Sequence, residues 1–146
     1  MNNCNETIED FANLTFEIYE TGNSTPVASY KFGTDFELDE TGAKYKLKTP
    51  YSAEWGKSYY VVEKNINVTN YTTVEASYTL SNGNTGSDTQ KTGTLQTSDF
   101  SISSSDKLAI ANFKDEYKSN IYGKIFVGCV RNKLVISWMY VAALYL

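Results

Sequence analysis

The stretch from Lys124 to Leu146 is the most apolar part of this chain, and it constrains the fold more than any other segment. It is rich in β-branched and aromatic residues, which favour strands. Arg131 and Asn132 form its polar break, and two residues suffice for a hairpin turn if Asn132 accepts a positive φ. From Leu134 onward both alternating sets of side chains are apolar. We therefore expect two buried strands, the second of them covered on both faces.

A strand of this kind can complete the sheet of a neighbouring copy, as in strand addition. The candidate residues of this assembly strand are Val135, Trp138, Tyr140, Val141, Leu144 and Leu146. This stretch has two alternative interpretations. The first is a membrane helix, but such a helix needs about 20 apolar residues and the uncharged run after Lys133 is shorter, so we expect no membrane span. A buried terminal helix is the second, because residues 142–146 have little strand preference.

Short segments of alternating hydrophobicity fill much of the remaining chain. Leu14, Phe16 and Ile18 share one face of a predicted strand, and residues 27–32 return after a run of turn residues, which predicts a hairpin. A second hairpin is predicted within residues 36–47, around a Thr-Gly turn.

Residues 73–80 form the clearest predicted strand before the end of the chain. Its predicted inward face consists of Val74, Ala76, Tyr78 and Leu80. Residues 89–97 are mostly polar, which is typical of an edge strand. About eight to ten short strands at this spacing predict an all-β fold, an antiparallel β-sandwich of Ig-like or jelly-roll-like type. At this length we expect a single domain over residues 1–146.

Residues 106–118 fit two patterns of secondary structure. The alternation of the first half is typical of a strand, whereas the spacing of later apolar residues, Phe113 and Tyr117 among them, is typical of a helix face. We predict a strand through Ala111 and one short helix near 112–119.

Leu108, Ile110 and Phe113 are spaced as in a late strand of immunoglobulin-type domains. Those domains have a Cys two residues after a characteristic Tyr, whereas here the residue two positions after Tyr117 is Ser119. The sequence is therefore assigned to no family.

The net charge of −4 is unevenly distributed along the chain. Residues 1–42 carry nine acidic side chains and one Lys, whereas residues 43–146 carry twelve basic and eight acidic side chains. No dense basic patch is present, which argues against nucleic acid as a partner. The opposite charges of the two parts permit complementary contacts between copies.

The two cysteines, Cys4 and Cys129, are too few for a disulfide framework. Cys129 lies in the apolar stretch and is interpreted as a small buried hydrophobe, with a Cys4–Cys129 bridge as the alternative. Residues 1–11 have neither the basic nor the apolar region of a secretory signal peptide, so we expect either that the protein acts where it is made or that this sequence is not the full precursor.

The chemistry of the side chains argues against an enzyme. The chain has no His, the residue used most often in acid–base and nucleophilic catalysis, and we expect no cofactor and no metal. Asp35, Glu37 and Asp39 share one face of a predicted strand and are interpreted as its solvated face. Calcium at these carboxylates, or in the loop 82–88, is the alternative because oxygen ligands suffice for it.

Four aromatic residues precede or lie within a predicted strand at 51–62: Tyr51, Trp55, Tyr59 and Tyr60. They are candidates for a sugar-stacking surface, because aromatic rings bind the apolar faces of saccharides. The alternative is that Trp55 and one of the tyrosines pack in the core.

These features predict a non-enzymatic structural protein that assembles with copies of itself or with other particle proteins. A virion or a similar particle is the expected setting, in a capsid-decoration, tail or fibre-type role. The alternative is an extracellular or cell-surface adhesin or carbohydrate-binding module that recognises a surface glycan.

Overall fold

The computed structural model describes residues 7–42, 44–105, 107–120, 133–139 and 143–144. Over these residues the chain is built mainly of antiparallel strands, which confirms the predicted all-β, sandwich-like fold. The strands are β1 (Thr15–Glu20), β2 (Ala28–Lys31), β3 (Phe36–Leu38), β4 (Tyr45–Leu47), β5 (Ser58–Lys64), β6 (Tyr71–Leu80), β7 (Thr85–Ser87), β8 (Thr94–Gln96), β9 (Phe100–Ser101), β10 (Leu108–Ala109), β11 (Ala111–Ser119), β12 (Lys133–Met139) and β13 (Ala143–Leu144). Two four-residue helices accompany them, α1 (Thr7–Asp10) and α2 (Phe32–Asp35).

The strands form two main sheets. The first has the order β2-β1-β5-β8, with β9 also paired to β5, and the second has the order β3-β4-β12-β11-β6-β7. A small third sheet pairs β10 with β13. The predicted hairpins β1–β2 and β3–β4 are both present, whereas β4 and β12 run parallel. Residues 65–70 form the loop between β5 and β6.

Aromatic side chains from both main sheets meet in the core. Phe16 of β1 lies with its ring centroid 5.2 Å from that of Phe113 on β11, and also 5.2 Å from that of Phe36 on β3. Phe11, which precedes β1, packs 4.7 Å from the ring of Tyr117 on β11. All five of these side chains are buried, so the two sheets face each other across a shared apolar layer.

The short helix predicted near 112–119 is wrong, because these residues belong to the strand β11. Every second side chain of β11 is buried, from Ala111 through Phe113 to Tyr117, and β6 and β12 pair with it on either side. The helix-like spacing was a coincidence within a regular alternation, and the neighbouring strands decided between the two patterns.

A β-bulge corrects the predicted inward face of β6. The register between β6 and β11 shifts so that Glu116 lies opposite Glu75 while Tyr117 lies opposite Thr73. Val74 is therefore an extra residue on its strand, and its side chain is 42% exposed instead of pointing inward. Thr73 takes the buried position in its place.

The late apolar stretch is described in part. Residues 133–139 and 143–144 are strands, as predicted, and not a terminal helix. The predicted turn at Arg131–Asn132, the strand before it, and both Cys4 and Cys129 lie outside the described residues. Among the described residues, no helix combines the length and hydropathy that a membrane span requires.

Candidate functional site

The structure separates the four aromatic residues that were predicted to form one stacking surface. Tyr59 is only 1% exposed, and its hydroxyl accepts a hydrogen bond from the backbone N–H of Glu54 at 2.9 Å. Tyr51 is half-buried, with its ring centroid 5.9 Å from that of Tyr59. Tyr59 is thus a core residue and has no face to offer a ligand, which removes it from the predicted surface.

Tyr60 points to the opposite side of β5 from Tyr59. Its ring stacks on Tyr19, its register partner on β1, with centroids 5.1 Å apart and an interplanar angle of 3°. The Tyr19 hydroxyl donates a hydrogen bond to Glu17, whose carboxylate also lies 3.0 Å from the Lys64 ammonium. These side chains form an ordered outer surface of the first sheet, away from Trp55.

Trp55 lies in a turn and is 51% exposed. Its turn continues through Gly56, whose φ of +75° is in the left-handed region that favours glycine. Trp55 and Gly56 line an open cleft of about 500 Å³, together with Lys57, Ser58 and residues 101–104. The cleft therefore combines one indole face with several serine hydroxyls and a cation.

The cation of this cleft is held in place by two carboxylates. The Lys57 ammonium lies 3.0 Å from Glu54 and 3.2 Å from Glu20. Hydrogen bonds to Glu54 and then Glu20 raise the pKa of Lys57 to about 12. Lys57 thus stays charged at any physiological pH and contributes a positioned donor to the cleft rim.

The most unusual group of side chains lies in the core. Glu63 of β5 and Asp115 of β11 are both 0% exposed, and they come from opposite sheets. Burial is the largest cause that raises the pKa of Glu63 well above its ordinary value, followed by the charge of Asp115 and a hydrogen bond to it. Two carboxyl groups in contact in a dry core disfavour simultaneous ionisation, so the pair keeps one proton to a higher pH than an exposed carboxyl group does.

Tyr117 borders this carboxyl pair. Its hydroxyl donates a hydrogen bond to the backbone carbonyl of Ile66 at 2.8 Å. Burial, and after it the charges of Asp115 and Glu63, raise the pKa of Tyr117 above the usual tyrosine range. The tyrosine therefore remains a neutral donor, and it links the carboxyl pair to the loop after β5.

The alternation of buried positions in β5 and β11 contains a sequence signal for the carboxyl pair. Glu63 continues the inward alternation of Tyr59 and Val61, and Asp115 continues that of Phe113 and its neighbours. A charged residue at an inward position of a predicted strand is rare, because an unpaired charge is costly to bury. Such a position in each of two strands could have indicated a partnered pair.

The carboxylates considered for calcium have other roles in this structure. Asp35 lies in α2 and accepts a hydrogen bond from the backbone N–H of Lys31 at 2.7 Å. Asp39 accepts one from the backbone N–H of Thr41 at 3.1 Å. Asp88 accepts hydrogen bonds from the backbone N–H groups of Thr92 and Gly93, both at 3.0 Å. No group of three or more His, Cys, Asp or Glu side chains in the described part could hold a metal ion.

The predicted assembly strand is in part an inner strand of the second sheet. Val135 and Trp138 lie in β12, which pairs with β11 along its whole length and meets β4 where Trp138 lies opposite Tyr45. Leu144 lies in β13, opposite Leu108 of β10. The remaining candidates, Tyr140, Val141 and Leu146, lie outside the described residues.

Charges that are separated along the sequence meet within the fold. Glu17 and Glu20, from the acidic first part of the chain, form ion pairs with Lys64 and Lys57 from the later part. The complementarity predicted between copies is thus used in part inside one chain. Contacts between copies through the remaining charges stay a prediction.

No protein-family model, curated protein or solved structure matches this chain. Its function is therefore inferred from the geometry and chemistry of its own residues.

Proposed function

We propose that this chain is a non-enzymatic structural protein that assembles with copies of itself or with other particle proteins, in a virion or a similar particle. The observation that carries the proposal is the place of β12. This strand lies between β4 and β11 and joins the β3–β4 hairpin to the rest of the second sheet. The gap between β4 and β11, which we call the β12 slot, must hold a strand for the second sheet to be complete.

The strand that fills the slot need not come from the same chain. Every copy of this chain carries the same β12, so its pairing with β4 and β11 is identical whichever copy supplies the strand. Exchange of an identical element is a low-cost route to an assembly.

The core supports a structural role in a second way. Glu63, the carboxyl group with the strongly raised pKa, is sealed between the sheets and lines none of the described clefts. Its contacts are with the opposite sheet and not with solvent, so its effect is on packing rather than on a substrate.

Cysteines at Lys114 and Ser137 test strand exchange directly. These residues lie opposite each other on β11 and β12, where adjacent Cβ atoms can accept a disulfide. In a background with Cys4 and Cys129 changed to Ser, we expect oxidation of the K114C/S137C variant to give covalent multimers on a denaturing, non-reducing gel. Each single-cysteine variant is the matched control.

Light scattering on the unmodified chain gives the second readout, with oligomers that grow with concentration. If the double variant gives only internally crosslinked monomers at all concentrations, and the unmodified chain stays monomeric, the assembly proposal is contradicted.

A second function, an extracellular adhesin or carbohydrate-binding module, is favoured by the cleft at Trp55. The half-exposed indole offers an apolar stacking face, and the serine hydroxyls and the Lys57 ammonium offer polar partners beside it. This combination is suited to one saccharide ring, which has an apolar face and a hydroxyl rim.

Trp55→Ala is expected to weaken glycan binding, because the substitution removes the indole face of the cleft. The loss of the stacking face should weaken binding about tenfold or more, measured on a glycan array and by titration with the best hit. Tyr60→Ala is the control, because it removes an aromatic side chain from another surface of β5. Equal binding by wild type and Trp55→Ala, or no binding by wild type, would exclude this function.

A further inference from the structure

The carboxyl group of Glu63 lacks the donors that normally satisfy a buried acid. Neither of its carboxyl oxygens meets an N–H or O–H donor from the described residues. Its polar neighbour is another carboxyl group, that of Asp115 on the opposite sheet. Two carboxyl groups form a hydrogen bond only when one of them carries a proton, because an ionised carboxylate is an acceptor alone.

We propose that Glu63 and Asp115 form a proton-binding site that fastens the two sheets to each other. While the proton is bound, the pair makes a hydrogen bond across the core. When the proton leaves, two negative charges face each other in a dry interior, and the sheets lose this contact. The ligand of the site is the proton itself, so the fold responds to pH.

The apolar surroundings of the pair disfavour loss of its proton. Within its own sheet Glu63 lies between Phe16 of β1 and Leu95 of β8, both of which are buried. Asp115 lies opposite Ala76 of β6, which is also buried. Apolar neighbours of this kind offer no counter-charge, so deprotonation leaves the charge unscreened.

Two charged groups in the described part of the chain act on Glu63, and both disfavour its ionised form: Asp115, which faces it across the core, and Asp88. Tyr117, on the same strand as Asp115, has a raised pKa and stays neutral. For Asp88 itself, burial raises the pKa, but hydrogen bonds from Thr92 and Gly93 lower it more strongly. Asp88 therefore titrates at acid pH, below the pH range in which Glu63 titrates in the folded chain.

The sign of the pH dependence follows from the direction of the Glu63 shift. In the unfolded chain Glu63 titrates near 4.5, and in the folded chain its pKa is well above that value. The stabilisation is fully present below about pH 4.5 and is lost as pH rises through the folded pKa. Between the unfolded and the folded pKa of Glu63, unfolding releases one proton, and the ratio of folded to unfolded protein falls about tenfold per pH unit.

Thermal unfolding from about pH 5 to about pH 9 tests the proposal on three chains: wild type, Glu63→Gln and Glu75→Gln. The glutamine of the Glu63→Gln variant has nearly the same shape as the native side chain, donates a hydrogen bond to Asp115 and does not titrate. We expect the wild-type melting temperature to fall with pH and the Glu63→Gln curve to be much flatter. Glu75→Gln is the control, because Glu75 is an exposed acid on β6, and it should follow wild type.

Parallel curves for wild type and Glu63→Gln would overturn the proposal. If Glu63→Gln does not fold, the double variant Glu63→Gln/Asp115→Asn takes its place in the same comparison, because neither amide titrates. Infrared spectroscopy of the wild type gives an independent readout, because a protonated carboxyl group has a C=O stretch distinct from that of a carboxylate. A protonated carboxyl band that persists above the pH range in which exposed acids titrate supports the proposal, and its absence overturns it whatever the variants do.

Discussion

Replacing Phe113 by alanine is expected to lower the free energy of unfolding by about 3–5 kcal/mol, as for other buried phenylalanines. Phe113 is buried on β11 with its ring 5.2 Å from Phe16 of the first sheet and 6.3 Å from Tyr78 of β6. The alanine would leave a cavity between the two sheets that the paired backbones on either side cannot close. Because a domain has about 5–15 kcal/mol of stability in total, the variant should be close to unfolding at body temperature.

Urea unfolding followed by tryptophan fluorescence and circular dichroism measures this loss. Phe113→Leu is the matched control, which keeps most of the apolar volume and should lose much less stability. Val74→Ala is a second control, because Val74 is the exposed residue of the bulge and should change stability by less than about 0.5 kcal/mol. A loss below about 1 kcal/mol in Phe113→Ala would contradict the sandwich core described here.

Alternation along the chain was sufficient to predict most of the strands. Leu14, Phe16 and Ile18 are all buried on one face, as expected from their spacing, and the two early hairpins follow. These features depend on residues that are close in sequence. A strand with one apolar face and one polar face needs a covered side wherever it lies, so the local pattern is enough.

The features that the sequence did not reveal depend on distant partners. The helical spacing around Phe113 was as good as the strand alternation until β6 and β12 were in place on both sides of β11. The exposed position of Val74 depends on a register shift against Glu116 and Tyr117, which lie about forty residues later in the chain. Neither is encoded in the local hydrophobic pattern.

The candidate sites show the same limit. Tyr59 and Tyr60 are adjacent on β5 and therefore point to opposite faces, so alternation alone could have separated them. The cleft brings Trp55 together with residues 101–104, and no local sequence rule specifies that arrangement. The proximity of Glu63 and Asp115 depends on the strand register within each sheet and on how the two sheets pack against each other.

Removal of residues 137–146 is expected to abolish cooperative unfolding. The deletion removes the pairing of Ser137, Trp138 and Met139 with β11, and with it the register position at which Trp138 pairs with Tyr45 of β4. The β3–β4 hairpin then has no partner in the second sheet, and an isolated hairpin is marginal in water. Thermal and urea unfolding should show a broad, non-cooperative transition, whereas an unchanged midpoint would show that β12 is not needed for the fold.

A peptide of residues 133–146, added to a chain that ends at residue 132, tests whether β4 and β11 accept β12 from another molecule. We expect the peptide to restore a cooperative transition at a midpoint that rises with peptide concentration, because binding to the folded state alone stabilises it by mass action. The control peptide carries Ile136→Pro, which removes a backbone N–H from β12 where it pairs with Asp115 on β11. If neither peptide acts, β12 belongs to its own chain and strand exchange is not the route of assembly. If only the unmodified peptide acts, the strand that completes this sheet is also one that a second copy can supply.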